Sequence, residues 1–309
     1  MKTMLLFLIL LVFLAVSCEQ DDFSIRGKGF SSKRDGFSVP EKGFCMTIRN
    51  KVVLKPEYID YYVLSTHMIY LKGDNAFLKE ELYRDAFSIY ADGEKIYSGV
   101  FNSWVSSSIT FGPSIYVPSF YSDYIVPITF AYYIDQTGKI IPDDPRGDPR
   151  IVKALKDYGQ FHEGLNCEIR SVQFTSDNQV KLELELINED LFNYYYLDPV
   201  KMGMGLFHYF TNGLSFWDAK SYKSYSNNVQ HIQPVPSNSW NKEWLSVIEK
   251  QSEKTIWITY DNFDEVPSGK YKLNFSFPGL SNVTRTELFQ GNGRIWLGGL
   301  ILSKEFSRE

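Results

Sequence analysis

Four histidines, three cysteines and several close-set carboxylates are the residues of this chain with the most evident chemistry. A metal centre or a general acid–base pair needs such groups at short, defined spacing. His67, His162, His208 and His231 are scattered, none within four residues of another. Two of them stand beside aromatic, strand-like neighbours, in Thr66-His67-Met68-Ile69-Tyr70 and Phe207-His208-Tyr209. Glu183 and Glu185 share one face of an alternating segment, which suits solvated strand residues better than paired catalytic carboxylates. Gly291-x-Gly293-x-x-Trp296 has Trp where a dinucleotide loop has its third glycine, and no helix is expected after it. A phosphate loop, a Gly-x-Ser-x-Gly elbow and a His-Glu-x-x-His zinc helix are all missing from the sequence. The expectation is a non-enzymatic chain with no catalytic residue, no cofactor and no metal.

Aromatic side chains offer a different chemistry. The segment Ile115-Tyr116-Val117-Pro118-Ser119-Phe120-Tyr121-Ser122-Asp123-Tyr124 is too rich in Pro and Ser for a central strand, and unusually aromatic for a loop. Exposed, its rings would bind a partner or stack on sugar rings. Tyr116, Phe120, Tyr121 and Tyr124 are therefore the candidate binding residues. Asn193-Tyr194-Tyr195-Tyr196, followed by Asp198-Pro199, is a second such run. The competing reading for both is that the rings fold back onto sheet edges. Arg146-Gly147-Asp148 spells a tripeptide read by cell-adhesion receptors, but Asp148 is better used as a helix cap. Asp143, Asp144 and Asp148 supply carboxylates without the spacing of an ordered calcium loop.

Cys18 stands apart. It follows Lys2, an uncharged run from Met4 to Val16 and Ser17, and it precedes Glu19-Gln20-Asp21-Asp22. That run is too short to span a bilayer and reads as an export signal. Leu14-Ala15-Val16-Ser17-Cys18 resembles the processing site of bacterial lipoproteins, with Ala15 where Leu is commoner. The resemblance implies acylation of Cys18 and attachment to a membrane. Glu19, Asp21 and Asp22 loosely resemble the surface-export signal of Bacteroides-like lipoproteins. The expected location is the outer membrane, on its periplasmic or its cell-surface side.

Composition bounds the rest. With 309 residues, a formal net charge of -5 and no clustered Lys or Arg, the chain supports a sizeable core and offers no nucleic-acid surface. Its aromatic content of 16% favours strands. The reading is a signal peptide over 1–17, a lipidated tether over 18–42 and a β-sandwich over 43–142. A linker with a short helix follows over 143–166, then a second β-sandwich over 167–309. Asp92-Gly93 predicts a tight hairpin, and Gly138 predicts another after a strand from Ile128 to Ile134, with Pro127 at its head. Asp148, Pro149 and Gly159 mark the cap, first turn and end of the linker helix, with Ile151, Leu155 and Tyr158 on one face. Val180, Leu182, Leu184 and Leu186 alternate with polar residues, as do Tyr271, Leu273, Phe275 and Phe277. Further strands are expected from Thr255 to Tyr260 and from Arg294 to Leu302, and short helices after Asn75 and from Ser239 to Lys250.

The fold class expected is mainly β: two tandem antiparallel sandwiches, similar at fold level to immunoglobulin-like bacterial modules. Cys45 and Cys167 each open a strand, and separate domains would hold them too far apart to bond. The function expected is recognition of a glycan or an envelope protein. The alternative is a structural subunit of a surface appendage, assembled by strand addition with the Phe-bearing segment from Glu19 to Lys42 as the donated strand.

Overall fold

A computed structural model describes residues 38–107, 110–134 and 140–309. The signal peptide, Cys18, most of the tether and the turn expected at Gly138 lie outside the described residues.

The described chain is mainly β, in six small sheets. The largest runs in the order Lys51–Leu54, Phe44–Ile48, Ala86–Ala91, Glu94–Asn102, Gly112–Tyr116, Thr129–Ala131. A four-stranded sheet faces it, in the order Phe161–His162, Ile59–Val63, Met68–Leu71, Ile125–Pro127. The remaining sequence forms three further sheets. These are Leu165–Ser176 with Gln179–Asn188 and Ser252–Tyr260; Leu245–Ile248 with Asn193–Leu197, Gly293–Ile295 and Phe289–Gln290; and Lys223–Ser226 with Ser215–Asp218, Gly269–Phe277 and Leu300–Arg308. A two-stranded ribbon of Tyr133–Ile134 and Ile140–Ile141 completes the set.

Two apolar cores sit between these layers. The first gathers Phe44, Met46, Phe87, Ile89 and Phe101 against Ile59, Tyr62, Ile69, Leu71 and Val126. The second gathers Val180, Leu182, Leu184 and Leu186 with Leu273, Phe275 and Phe277, and it also takes Tyr61, Val63, Met68, Tyr70 and Ile125. The four-stranded sheet is thus buried on both faces: Tyr62, Ile69 and Leu71 turn one way, Tyr61, Met68 and Tyr70 the other. A strand covered on both sides reads as a continuous apolar run, which is why Tyr61-Tyr62-Val63 and Met68-Ile69-Tyr70-Leu71 show no polar alternation. Residues Ser38–Glu309 form one compact unit.

Several local expectations match. Asp92 (φ 48°) and Gly93 (φ 79°) turn the hairpin between Ala86–Ala91 and Glu94–Asn102. The helix Pro149–Asp157 starts at Asp148, whose carboxylate accepts from Arg150 N at 2.8 Å. Ile151, Ala154 and Leu155 face the first core, while Tyr158 stands exposed at the helix end. Cys45 and Cys167, whose pairing the sequence leaves open, are buried and unbonded.

Other expectations are corrected. The sheets are not purely antiparallel: Glu94–Asn102 with Gly112–Tyr116, Phe161–His162 with Ile59–Val63, and Asn193–Leu197 with Gly293–Ile295 are parallel pairs. The helix expected from Ser239 to Lys250 is a 3-10 turn at Lys242–Trp244 followed by the strand Leu245–Ile248. Pairing with Asn193–Leu197 gives the backbone a ladder that the helical spacing of Trp240, Trp244 and Ile248 does not outweigh. The helix after Asn75 shrinks to a 3-10 turn at Glu80–Leu82. The strand expected from Arg294 to Leu302 is split, because Gly298 (φ 81°) redirects the chain between Gly293–Ile295 and Leu300–Arg308. Pro127 takes the edge position expected of it, but it ends the edge strand Ile125–Pro127, and the strand expected from Ile128 to Ile134 is divided into Thr129–Ala131 and Tyr133–Ile134.

Candidate functional site: an exposed aromatic stack

Parallel pairing of Glu94–Asn102 with Gly112–Tyr116 sets Asn102 opposite Tyr116. The chain leaving Asn102 therefore carries Trp104 alongside the segment that contains Pro118 and Phe120. Trp104 stacks on Tyr116, with centroids 4.1 Å apart and planes at 22°, and on Phe120 at 4.6 Å and 25°. Trp104 Nε1 donates to Pro118 O at 3.1 Å, which fixes the indole plane. Backbone bonding continues there, with Val117 N donating to Asn102 O at 2.9 Å. Trp104 is 47% exposed and Phe120 62%. Neighbouring Val105 is almost fully exposed. A three-ring stack at the surface, held by a hydrogen bond and a parallel ladder, presents the edges of Trp104 and the exposed ring of Phe120 at little cost in side-chain freedom.

The four candidate residues divide. Tyr116 and Phe120 are brought together through Trp104. Tyr121 is half-buried and packs against the second core, and burial pushes its hydroxyl up to about 12. Tyr124 is 1% exposed and is not available to a ligand. Its hydroxyl donates to Val283 O at 2.8 Å, and the guanidinium of Arg285 lies 4.7 Å from its ring. Ser122 Oγ donates to the same carbonyl at 2.7 Å, so this part of the run ties two distant stretches of chain together. Trp104 was missed by sequence reasoning because it stands alone among Ser and Asn; only the strand register brings it to the run.

The second aromatic run is a strand, Asn193–Leu197, with Tyr194 and Tyr196 buried. Tyr194 donates to Asp190 Oδ2 at 2.7 Å, and His162 Nδ1 lies 2.8 Å from Asp190 Oδ1. Leu191 N donates to the same carboxylate at 2.7 Å. Burial would raise the Asp190 carboxyl, but the hydrogen bonds from His162 and Tyr194 outweigh it and hold it below the usual carboxylate range.

The remaining chemical candidates are engaged structurally. Glu183 accepts from Ser171 Oγ at 2.6 Å, and Glu185 pairs with Arg170 across the ladder. Arg146 is held by Asp144 at 2.7 Å and by Ile128 O at 2.6 Å, while Asp148 caps its helix and pairs with Arg150. The outer members of the Arg146-Gly147-Asp148 tripeptide are thus both occupied. His67 Nδ1 lies 2.6 Å from the Tyr62 hydroxyl, and burial, aided by the Arg146 charge, pushes the imidazole down to about 3. Burial likewise pushes His208 down to about 4. Among the described residues no group of three or more His, Cys, Asp or Glu is placed to hold a metal ion. The chain matches no protein-family model, no curated protein and no solved structure.

Proposed function

We propose that the protein is a non-enzymatic binding protein of the cell envelope, anchored through acylated Cys18 at the outer membrane, that holds a glycan against the Tyr116–Trp104–Phe120 stack. The observation that carries this reading is the exposed stack itself: Trp104 and Phe120 keep 47% and 62% of their surface in contact with water. Isolated exposed apolar residues are ordinary, whereas a contiguous rigid aromatic surface marks a place of contact. The apolar faces of pyranose rings lie flat on such surfaces, and the surrounding hydroxyls stay in water. The anchor rests on the sequence Leu14-Ala15-Val16-Ser17-Cys18. A layered, sandwich-like architecture is supported by the sheets packed across each core; the parallel pairings and the shared middle sheet set it apart from two immunoglobulin-like units in tandem.

One experiment tests both parts. Membranes from cells producing the wild-type chain, Cys18→Ala, Trp104→Ala and Phe120→Ala are assayed for retention of the protein and for pull-down by immobilised polysaccharides. Cys18→Ala should release the protein from membranes, and each aromatic variant should weaken glycan retention at least tenfold with the melting temperature unchanged. Membrane retention of Cys18→Ala would sink the anchor, and wild-type glycan retention by both aromatic variants would sink the binding surface.

A further inference from the structure

Arg294 lies on the strand Gly293–Ile295, opposite Tyr194 in the parallel ladder. Its guanidinium carbon is 4.0 Å from the Tyr61 ring centroid and 3.6 Å from that of Phe192, with Phe289 further out at 5.4 Å. Two aromatic rings therefore occupy the faces of a planar cation and leave its edges for hydrogen bonding. One edge meets the Tyr61 hydroxyl, whereas Nε and Nη1 are buried and find no acceptor among the described residues. The carboxylate of Asp190 is already shared by His162, Tyr194 and two backbone N–H groups, those of Gly164 and Leu191. Buried donors are nearly always satisfied, and a buried charge more so, which makes this arrangement a request for an anion.

A second donor points to the same conclusion. Trp296 N donates to Tyr195 O at 2.8 Å, so the ladder runs on past Ile295 and Arg294 and Trp296 share one face of the strand. Trp296 is 2% exposed, and its Nε1 also finds no partner among the described residues. Phe289, the outermost of the three rings, is 53% exposed.

We infer that Arg294 and Trp296 form a binding site for a carboxylate. Shape decides among anions. With rings 4.0 Å and 3.6 Å from the guanidinium carbon, a planar carboxylate can meet the guanidinium edge in plane, whereas the out-of-plane oxygens of phosphate or sulfate would project toward the rings. Arg–carboxylate pairing of this kind is two-pronged and geometrically selective. In the envelope setting the carboxylate belongs to an acidic sugar; only this choice of source rests on the function proposed above.

The test titrates the purified chain with sodium acetate, sodium glucuronate, methyl glucoside and sodium phosphate, read by tryptophan fluorescence and calorimetry. Acetate and glucuronate should bind saturably, glucuronate more tightly, with phosphate at least tenfold weaker and methyl glucoside unable to displace glucuronate. Arg294→Lys, which keeps the charge and loses the fork, should weaken glucuronate at least tenfold. Trp296→Phe, which keeps the ring and removes only the N–H, should weaken it several-fold in a chain that still folds. Absence of both acetate and glucuronate binding from the wild type, or glucuronate binding unchanged in both variants, overturns the site. Phosphate binding as tightly as glucuronate overturns the selection for a planar anion, and acetate binding without glucuronate overturns the sugar source. Trp104→Ala should leave glucuronate binding intact, so failure of the aromatic stack and failure of this site give different results.

Discussion

Phe120 and Tyr124 are four positions apart, equally aromatic, and opposite in role. Phe120 is 62% exposed, whereas Tyr124 is 1% exposed and bonded to Val283 O. Nothing in the composition of the run separates them, because ring exposure depends on which chain segments arrive from elsewhere. Val283 and Arg285 come from far along the sequence and close over Tyr124; Trp104 arrives through a parallel pairing and props up Phe120. The candidate site was thus half legible: the run marked the right neighbourhood, while its central indole and its buried member were not readable. At this scale Tyr124→Phe should cost about 1 kcal/mol, the usual net worth of one hydrogen bond, since Ser122 still satisfies the carbonyl. Tyr124→Ala should cost about 3–5 kcal/mol through lost burial. Urea unfolding midpoints of the two variants check this; equal, negligible losses would show that the ring is not core.

Among the elements, those with a wet face were readable and those without one were not. Gln179–Asn188 shows strict alternation because its Lys and Glu residues face away from the second core, so its buried set could be named in advance. Leu184 is fully buried there, and Leu184→Ala should destabilise the protein by about 2–5 kcal/mol, the range for deleting a close-packed leucine. Chemical denaturation would show this as a lower midpoint at unchanged slope; a change under 1 kcal/mol would mean that the core is loosely packed there. The strand Leu245–Ile248 was misread as helix, because apolar residues three and four apart fit both a helix face and a short buried strand. Its partner, Asn193–Leu197, decided the matter. The parallel pairings escaped for a related reason: strand direction is set by connections and leaves no trace in local spacing.

At the scale of the whole molecule, two imidazoles are kept neutral by burial, with values of about 3 for His67 and about 4 for His208. In the unfolded chain both titrate near 6.5. Above that pH neither state binds these protons and stability is independent of them. As pH falls below about 6.5 the unfolded chain takes up two protons that the folded chain refuses, so stability falls, by about 1.4 kcal/mol per pH unit for each histidine. The loss ends only as each folded value is passed. Urea midpoints should therefore drop between pH 7.5 and pH 5, and His67→Asn, which tolerates the left-handed backbone at that position (φ 52°), should flatten the slope. An unchanged slope in the variant would show that His67 takes up its proton without opening the fold.

The middle sheet gives the molecule a further property. Tyr61 and Tyr62 are adjacent, yet the first touches the Arg294 cation and the second holds His67 in the opposite interior. A slip of one position along Ile59–Val63 would trade those two rings between compartments and dismantle both arrangements at once. The strand thereby acts as a common ruler, on which the anion site and the proton-refusing histidine are graduated together.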